Sequence, residues 1–209
     1  MKPAIPPVNV IVEGITDEAV ACRLIEYVGL TCGTMYGKNG RNYILKRLSK
    51  YNQAARFTPW LVVVDLENEP DCVPDFVRRV LPNPADGIRF RVAVRAIEAW
   101  LMADAERLAA FLSIPVTRIP SNPDGEPEPK TTLINLARQS RRKAIREDIV
   151  PRQGSGSRVG PGYSSRIIEF VKVTKNPWRP EIAITRSDSL RSCMEALQSL
   201  KGCEQRIIH

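Results

Sequence analysis

The run Trp60-Leu61-Val62-Val63-Val64 constrains the fold more than any other feature: it is apolar without interruption and stops abruptly at Asp65-Leu66-Glu67. A strand with no polar face must be covered on both sides, which is the condition of a strand inside a parallel sheet with helices above and below. The first half of the chain supplies its neighbours. Val8-Asn9-Val10-Ile11-Val12 is a second short β-branched run, closed by Glu13-Gly14, and Leu30 to Met35 reads as a third strand. Ile88 to Val94 alternates apolar residues with arginine and reads as a fourth. Between them, Val20, Ala21, Leu24, Ile25 and Val28 recur at helical spacing, after Thr16 as the N-cap and before Gly29 as the stop. Further helices are predicted over 42–55, 75–81 and 97–112. Strands alternating with helices predict an α/β fold with a mostly parallel sheet flanked by helices.

Beyond that core the chain changes character. Residues 114–130 are proline-rich, a basic helix is predicted over 131–149, and the Gly/Ser-rich stretch 153–162 is mobile by composition. Helices over 164–173 and 187–200 complete the reading. The predicted organisation is an α/β core over 1–115 and a helical, basic C-terminal part over 116–209, packed as one compact unit. The net charge of +8 follows this division, with 15 basic against 13 acidic residues up to position 120 and 16 against 10 beyond it. Such an excess favours a polyanionic partner. No apolar run is long enough to cross a membrane and no signal-peptide pattern opens the chain, so a cytoplasmic protein without a membrane partner is expected.

Cysteine and histidine usage narrows the chemistry. The five cysteines (Cys22, Cys32, Cys72, Cys193, Cys203) include no CxxC pair, which argues against a disulfide scaffold or a zinc knuckle. The sole histidine is His209, the last residue, so a metal would have to be held by oxygen. The acids fall where parallel sheets place ligands, beyond the C-terminal ends of strands. Glu13 follows the first strand, with Asp17 just beyond it. Asp65 and Glu67 follow the strongest strand and project to one side if extended geometry continues. Glu98, at a helix start past the fourth strand, is a further candidate ligand, whereas Asp104 reads as solvated or capping. Converging carboxylates suit Mg²⁺ or Mn²⁺, which can orient phosphate oxygens and activate water. Taken singly, each carboxylate reads first as structural, often as a cap of the next helix; their order and spacing carry the site.

Val12-Glu13-Gly14-Ile15-Thr16-Asp17 resembles the first TOPRIM motif, and Val63-Val64-Asp65-Leu66-Glu67 is similar to the second, in which two acids flank one residue. The usual second acid there is Asp, so Glu67 is a departure. Arg95-Ala96-Ile97-Glu98-Ala99-Trp100-Leu101-Met102-Ala103-Asp104, Pro129-Lys130, Gly160-Pro161-Gly162-Tyr163 and Ser187-Asp188-Ser189-Leu190 resemble the signature of an uncharacterised bacterial TOPRIM-like family. The resemblance implies a TOPRIM-like sheet and a metal-dependent nuclease of the overcoming-lysogenization-defect type. Glu13, Asp65 and Glu67 would be catalytic and bind Mg²⁺ or Mn²⁺, supported by Asp17 and Glu98. Lys130 would act at the scissile phosphate, with Lys38 and Arg41 as further phosphate ligands. The relatives point to phage defence or DNA processing, and to a separate ATPase or other defence-system protein as partner. The chain itself has no GxxxxGK[ST] loop.

Arg138, Arg141, Arg142 and Arg146 recur at spacings that form one stripe on a continuous helix, read equally as a phosphate rail or a solvated face. The expected function is a nuclease acting on DNA or RNA. The alternatives are a non-catalytic nucleic-acid-binding or regulatory subunit, and an RNA-maturing ribonuclease.

Overall fold

A computed structural model describes residues 5–37, 39–67, 69–172 and 175–201. The chain divides into two compact units, one formed by 1–93 with 189–209 and the other by 94–188. The boundary expected near 115 lies inside the second unit, and the C-terminal stretch belongs with the first.

In the first unit, among the described residues, four parallel strands form one sheet in the order β2-β1-β3-β4: β1 (Val8–Val12), β2 (Cys32–Gly37), β3 (Trp60–Asp65) and β4 (Ile88–Ala93). This is the α/β, Rossmann-like sheet the alternation predicts. Trp60 to Val64 are all buried, so β3 is covered on both faces as its unbroken apolar run requires. Helices α1 (Ile15–Tyr27) and α2 (Arg41–Ala54) pack against β1 and β3, and α3 (Val73–Val80) precedes β4. Leu24 and Ile25 of α1 and Ile44 of α2 are fully buried.

Two differences at the start of the unit have local causes. The N-cap of α1 is Gly14, not Thr16, because Gly14 is extended and Glu18 N–H already bonds its carbonyl. A Cβ at Gly14 would meet Asp17 Oδ2 at 2.9 Å, so glycine here makes room for the carboxylate. Strand β2 runs two residues further than predicted and ends on Gly37, whose φ of +93° and close approach to the Val12 carbonyl no side chain would tolerate. One disulfide forms although the sequence has no CxxC pair. Cys22 of α1 and Cys32 of β2, with Cα atoms 5.6 Å apart, are joined as a disulfide. The helix-turn-strand between them folds back and brings the two together without any CxxC spacing.

The second unit is helical: α4 (Ile97–Ala103), α5 (Ala105–Leu112), α6 (Pro129–Arg138), α7 (Lys143–Ile149), α8 (Tyr163–Lys172) and α9 (Pro180–Ala183). The single helices predicted over 97–112 and 131–149 are each broken. Asp104 interrupts the first. Its fully buried carboxylate accepts the Arg107 N–H at the start of α5 and three bonds from Arg179, at 2.9 Å from the backbone N–H and 3.0 and 2.7 Å from the guanidinium. Asp104 is therefore the capping residue of the two readings. The second break is at Ser140, buried, whose hydroxyl accepts the Arg142 N–H at 3.0 Å in a local turn that competes with the helix. The Gly/Ser-rich stretch is tied down at its far end, where Gly160 and Gly162 N–H groups bond the carbonyls of Ile149 and Asp148, both at 2.9 Å. Helix α10 (Asp188–Ser199) leads back into the first unit. Among the described residues no helix is long and apolar enough to cross a membrane.

Candidate functional site

The carboxyl ends of β1 and β3 lie side by side because the two strands are parallel neighbours, with Ile11 level with Val62. Glu13, one residue past β1, thereby reaches the end of β3, and its Oε1 accepts the Asp65 N–H at 2.8 Å. Partial burial raises the Glu13 pKa above the ordinary carboxylate value. The Asp65 N–H opposes that rise, the Glu67 charge adds to it, and the guanidinium and N–H of Arg41 oppose it. Glu13 is thus held by neighbouring backbone at a place where its charge is poorly solvated.

A cleft of about 470 Å³ opens here, lined by Glu13, Asn39, Gly40, Arg41, Glu67 and Glu69 among others. The start of α2 forms one wall. Its N-cap is Gly40, at φ +78°, with neither a capping side chain nor an acid in its first turn. Such a helix start presents N–H groups and positive potential to an anion.

Glu67 does not continue the extended geometry on which its one-sided projection with Asp65 depends. The strand ends at Asp65: Leu66 N–H makes the last ladder bond, to the Ala93 carbonyl, and Glu67 then turns to φ +50° as Glu69 N–H closes onto the Leu66 carbonyl. That left-handed conformation costs a non-glycine residue about 1 kcal/mol. Its side chain is 59% exposed and lies 4.0 Å from Arg41.

Arg41 was expected at a phosphate and is engaged otherwise. Its guanidinium donates to the Leu66 carbonyl at 3.1 Å, pairs with Glu69 and stacks on Phe76 at 4.7 Å from the ring centroid. Arg79 joins the same cluster, at 2.6 Å from Glu69 and 2.8 Å from Asp71. Arg41 therefore braces the loop that carries Glu67. Sequence reading missed Glu69 and Arg79; the repeated acid in Glu67-Asn68-Glu69 was the available signal.

Asp17 is buried in the first turn of α1. Lys38 lies outside the described residues. Glu98 and Lys130 fall in the second unit, where they meet each other. Glu98 is 1% exposed, accepts the Tyr163 hydroxyl at 2.7 Å on Oε1 and lies 3.4 Å from Lys130 Nζ, while its Oε2 is buried without a hydrogen-bond partner. Tyr163 had no assigned role in the sequence reading; its place in Gly-Pro-Gly-Tyr was the only hint.

The arginine stripe is not one helix face. Arg138 ends α6 and donates to Asn135 at 2.7 Å, whereas Arg142 is the N-cap of α7 and donates to the Phe111 carbonyl at 3.3 Å. Arg146 turns back onto the Ser140 carbonyl. The break at Ser140 thus separates Arg138 from Arg142 and Arg146, and Arg141 lies exposed in the gap.

Among the described residues no group of three or more Asp, Glu, His or Cys side chains is gathered so as to hold a metal ion. The donors at the cleft are nevertheless all oxygen, the donor type that Mg²⁺ and Mn²⁺ prefer. Fold and cleft together define an α/β protein of Rossmann-like architecture with an acidic site at the carboxyl edge of its parallel sheet. No protein-family model matches the chain, and comparisons with curated proteins and with solved structures find no match.

Proposed function

We propose that the chain is a metal-dependent nucleic-acid phosphodiesterase of TOPRIM type. The observation that supports this reading best is Glu13, fixed by the Asp65 N–H at the edge of the cleft, because it joins the two acidic motifs at one point of the sheet. Glu13 and Asp65, with Glu67 on its braced loop, would hold Mg²⁺ or Mn²⁺; when bound, such an ion supplies charge for phosphate oxygens and acidifies a water. The residues of the chain have separable tasks. Glu13 takes or returns a proton at its raised pKa, the start of α2 faces phosphate charge, and Arg41 keeps Glu67 in place. DNA or RNA is the proposed substrate, and a separate ATPase or defence-system partner remains part of the proposal.

The site is tested by Mn²⁺ uptake, read from loss of the free-ion paramagnetic resonance signal. Wild type is expected to bind, and Asp65→Asn at least tenfold more weakly with an unchanged circular dichroism spectrum. Equal uptake by both would remove Asp65 from the site.

The nucleic-acid reading of the second unit rests on Arg138 and Arg141, both exposed. Charge reversal of this pair to Glu is expected to weaken DNA or RNA binding in EDTA. For duplex DNA it should also lower the slope of log affinity against log salt by about 0.9 for each phosphate that the pair neutralises in wild type. An unchanged slope returns the pair to a solvated face.

A further inference from the structure

We propose that a second cleft, along the outer edge of β4, binds a small organic oxyanion: a phosphate or carboxylate carried on an apolar body, with Arg91 as its charge partner. This site is separate from the acidic cleft and does not rest on the nuclease reading.

The backbone shows how the edge is built. Trp60 N–H bonds the Gly87 carbonyl and Leu66 N–H bonds that of Ala93, so odd-numbered carbonyls of this stretch turn towards β3. By strand alternation, the carbonyls of Ile88 and Phe90 turn to the other edge. Each accepts a guanidinium from the next residue in the chain, Arg89 Nη1 to Ile88 and Arg91 Nη1 to Phe90, both at 3.0 Å. The two arginines are therefore laid along the edge of the strand.

A cleft of about 420 Å³ borders them, walled by Val77 and Leu81 from the α3 side, by Pro84 and by Ile88. That size falls in the usual range of small-molecule sites, and the apolar walls suit a ring or short chain. The two arginines differ in what already holds them. Arg89 closes the end of α10, donating from Nε to the Ala196 carbonyl and to Ser199 Oγ, both at 3.0 Å. Arg91 has no such task. Its Nε is buried without a hydrogen-bond partner, and among the described residues it forms no ion pair with a carboxylate.

A cation in that position is poorly solvated, and burial lowers the Arg91 pKa. The nearby Cys193 thiol offers no countercharge, because burial raises its own pKa to about 12. Asp86 also lines the cleft, but one carboxylate against two guanidiniums leaves the wall positive. A planar guanidinium that lines the cleft and has no carboxylate partner among the described residues suits a phosphate or carboxylate better than a neutral group.

The probes are phenyl phosphate, benzoate and inorganic phosphate, each titrated calorimetrically into the full chain. Phenyl phosphate or benzoate is expected to bind saturably at one site, and which of them binds tighter identifies the head group. Inorganic phosphate, lacking the apolar body, is expected to bind at least tenfold more weakly than phenyl phosphate. Arg91→Leu is expected to weaken the preferred probe at least tenfold with an unchanged circular dichroism spectrum. If that variant fails to fold, Val77→Trp obstructs the cleft from α3 without altering Arg91, and the same loss is expected. Binding of neither organic probe, equal binding of inorganic phosphate, or full binding by the folded Arg91→Leu or by Val77→Trp overturns the proposal.

Discussion

Glu13→Gln is expected to reduce metal-dependent cleavage by about 100-fold or more, the scale on which a positioned proton-transfer group contributes, while leaving the fold intact. Gln keeps the Oε1 acceptor that receives the Asp65 N–H, so the tie between β1 and β3 survives the change. What disappears is the carboxylate proposed to bind an ion and exchange a proton. The variant carries a second signature in stability. Burial is the largest cause of the raised Glu13 pKa, so the folded protein binds that proton more tightly than the unfolded chain does. The stabilising contribution is fully present below the ordinary carboxylate value of 4.5 and is lost as pH rises through the raised folded value. Gln undergoes no such loss. In EDTA, Glu13→Gln is therefore expected to melt higher than wild type at neutral pH, with the difference shrinking as pH falls below that ordinary value. A variant that melts lower than wild type at neutral pH would show that the charge is structural, not held in reserve for chemistry.

Arg179→Ala is expected to destabilise the second unit by about 3–5 kcal/mol, the range for breaking a buried ion pair from one side. The carboxylate of Asp104 is fully buried and takes three of its hydrogen bonds from Arg179, two of them from the guanidinium. Removing the guanidinium leaves that charge in the interior with backbone donors only. Arg179 itself is held above its usual pKa, first by its hydrogen bonds to Asp104 and then by Glu106. Urea unfolding followed by tryptophan fluorescence measures the change, because Trp100 and Trp178 are both fully buried in this unit. A loss under about 1 kcal/mol would mean that the backbone N–H donors alone hold Asp104.

These residues also show what a sequence can and cannot report. Strand β3 was legible because five consecutive apolar residues admit few environments, and all five are buried. The positions of Glu13 and Asp65 at neighbouring strand ends were legible for the same reason, since each stands where an apolar strand stops. Glu67 was not, because the turn that carries it, closed by Glu69 N–H on the Leu66 carbonyl with Glu67 at φ +50°, has no glycine to announce it. The break at Asp104 was hidden in a similar way. Apolar spacing continues across 97–112, and the interruption is set by Arg179, 75 residues away. Arg41 illustrates the limit for charged groups: its loop position suggested phosphate, whereas Glu69, Phe76 and the Leu66 carbonyl claim its guanidinium from elsewhere in the fold. The arginine stripe failed at Ser140, where a hydroxyl and a buried turn outweigh the periodicity on either side.

The central claim is that the acids at the carboxyl edge of the sheet make this chain a metal-dependent nuclease. Cleavage of labelled single- and double-stranded DNA and of RNA tests it most directly, in Mg²⁺, in Mn²⁺ and in EDTA, with wild type beside Asp65→Asn. Wild type is expected to cut in metal and not in EDTA, and Asp65→Asn to lose the activity. Cutting that persists in Asp65→Asn or in EDTA, or a folded wild type that binds nucleic acid in EDTA and never cuts it, would rule out a metal-dependent nuclease at these acids.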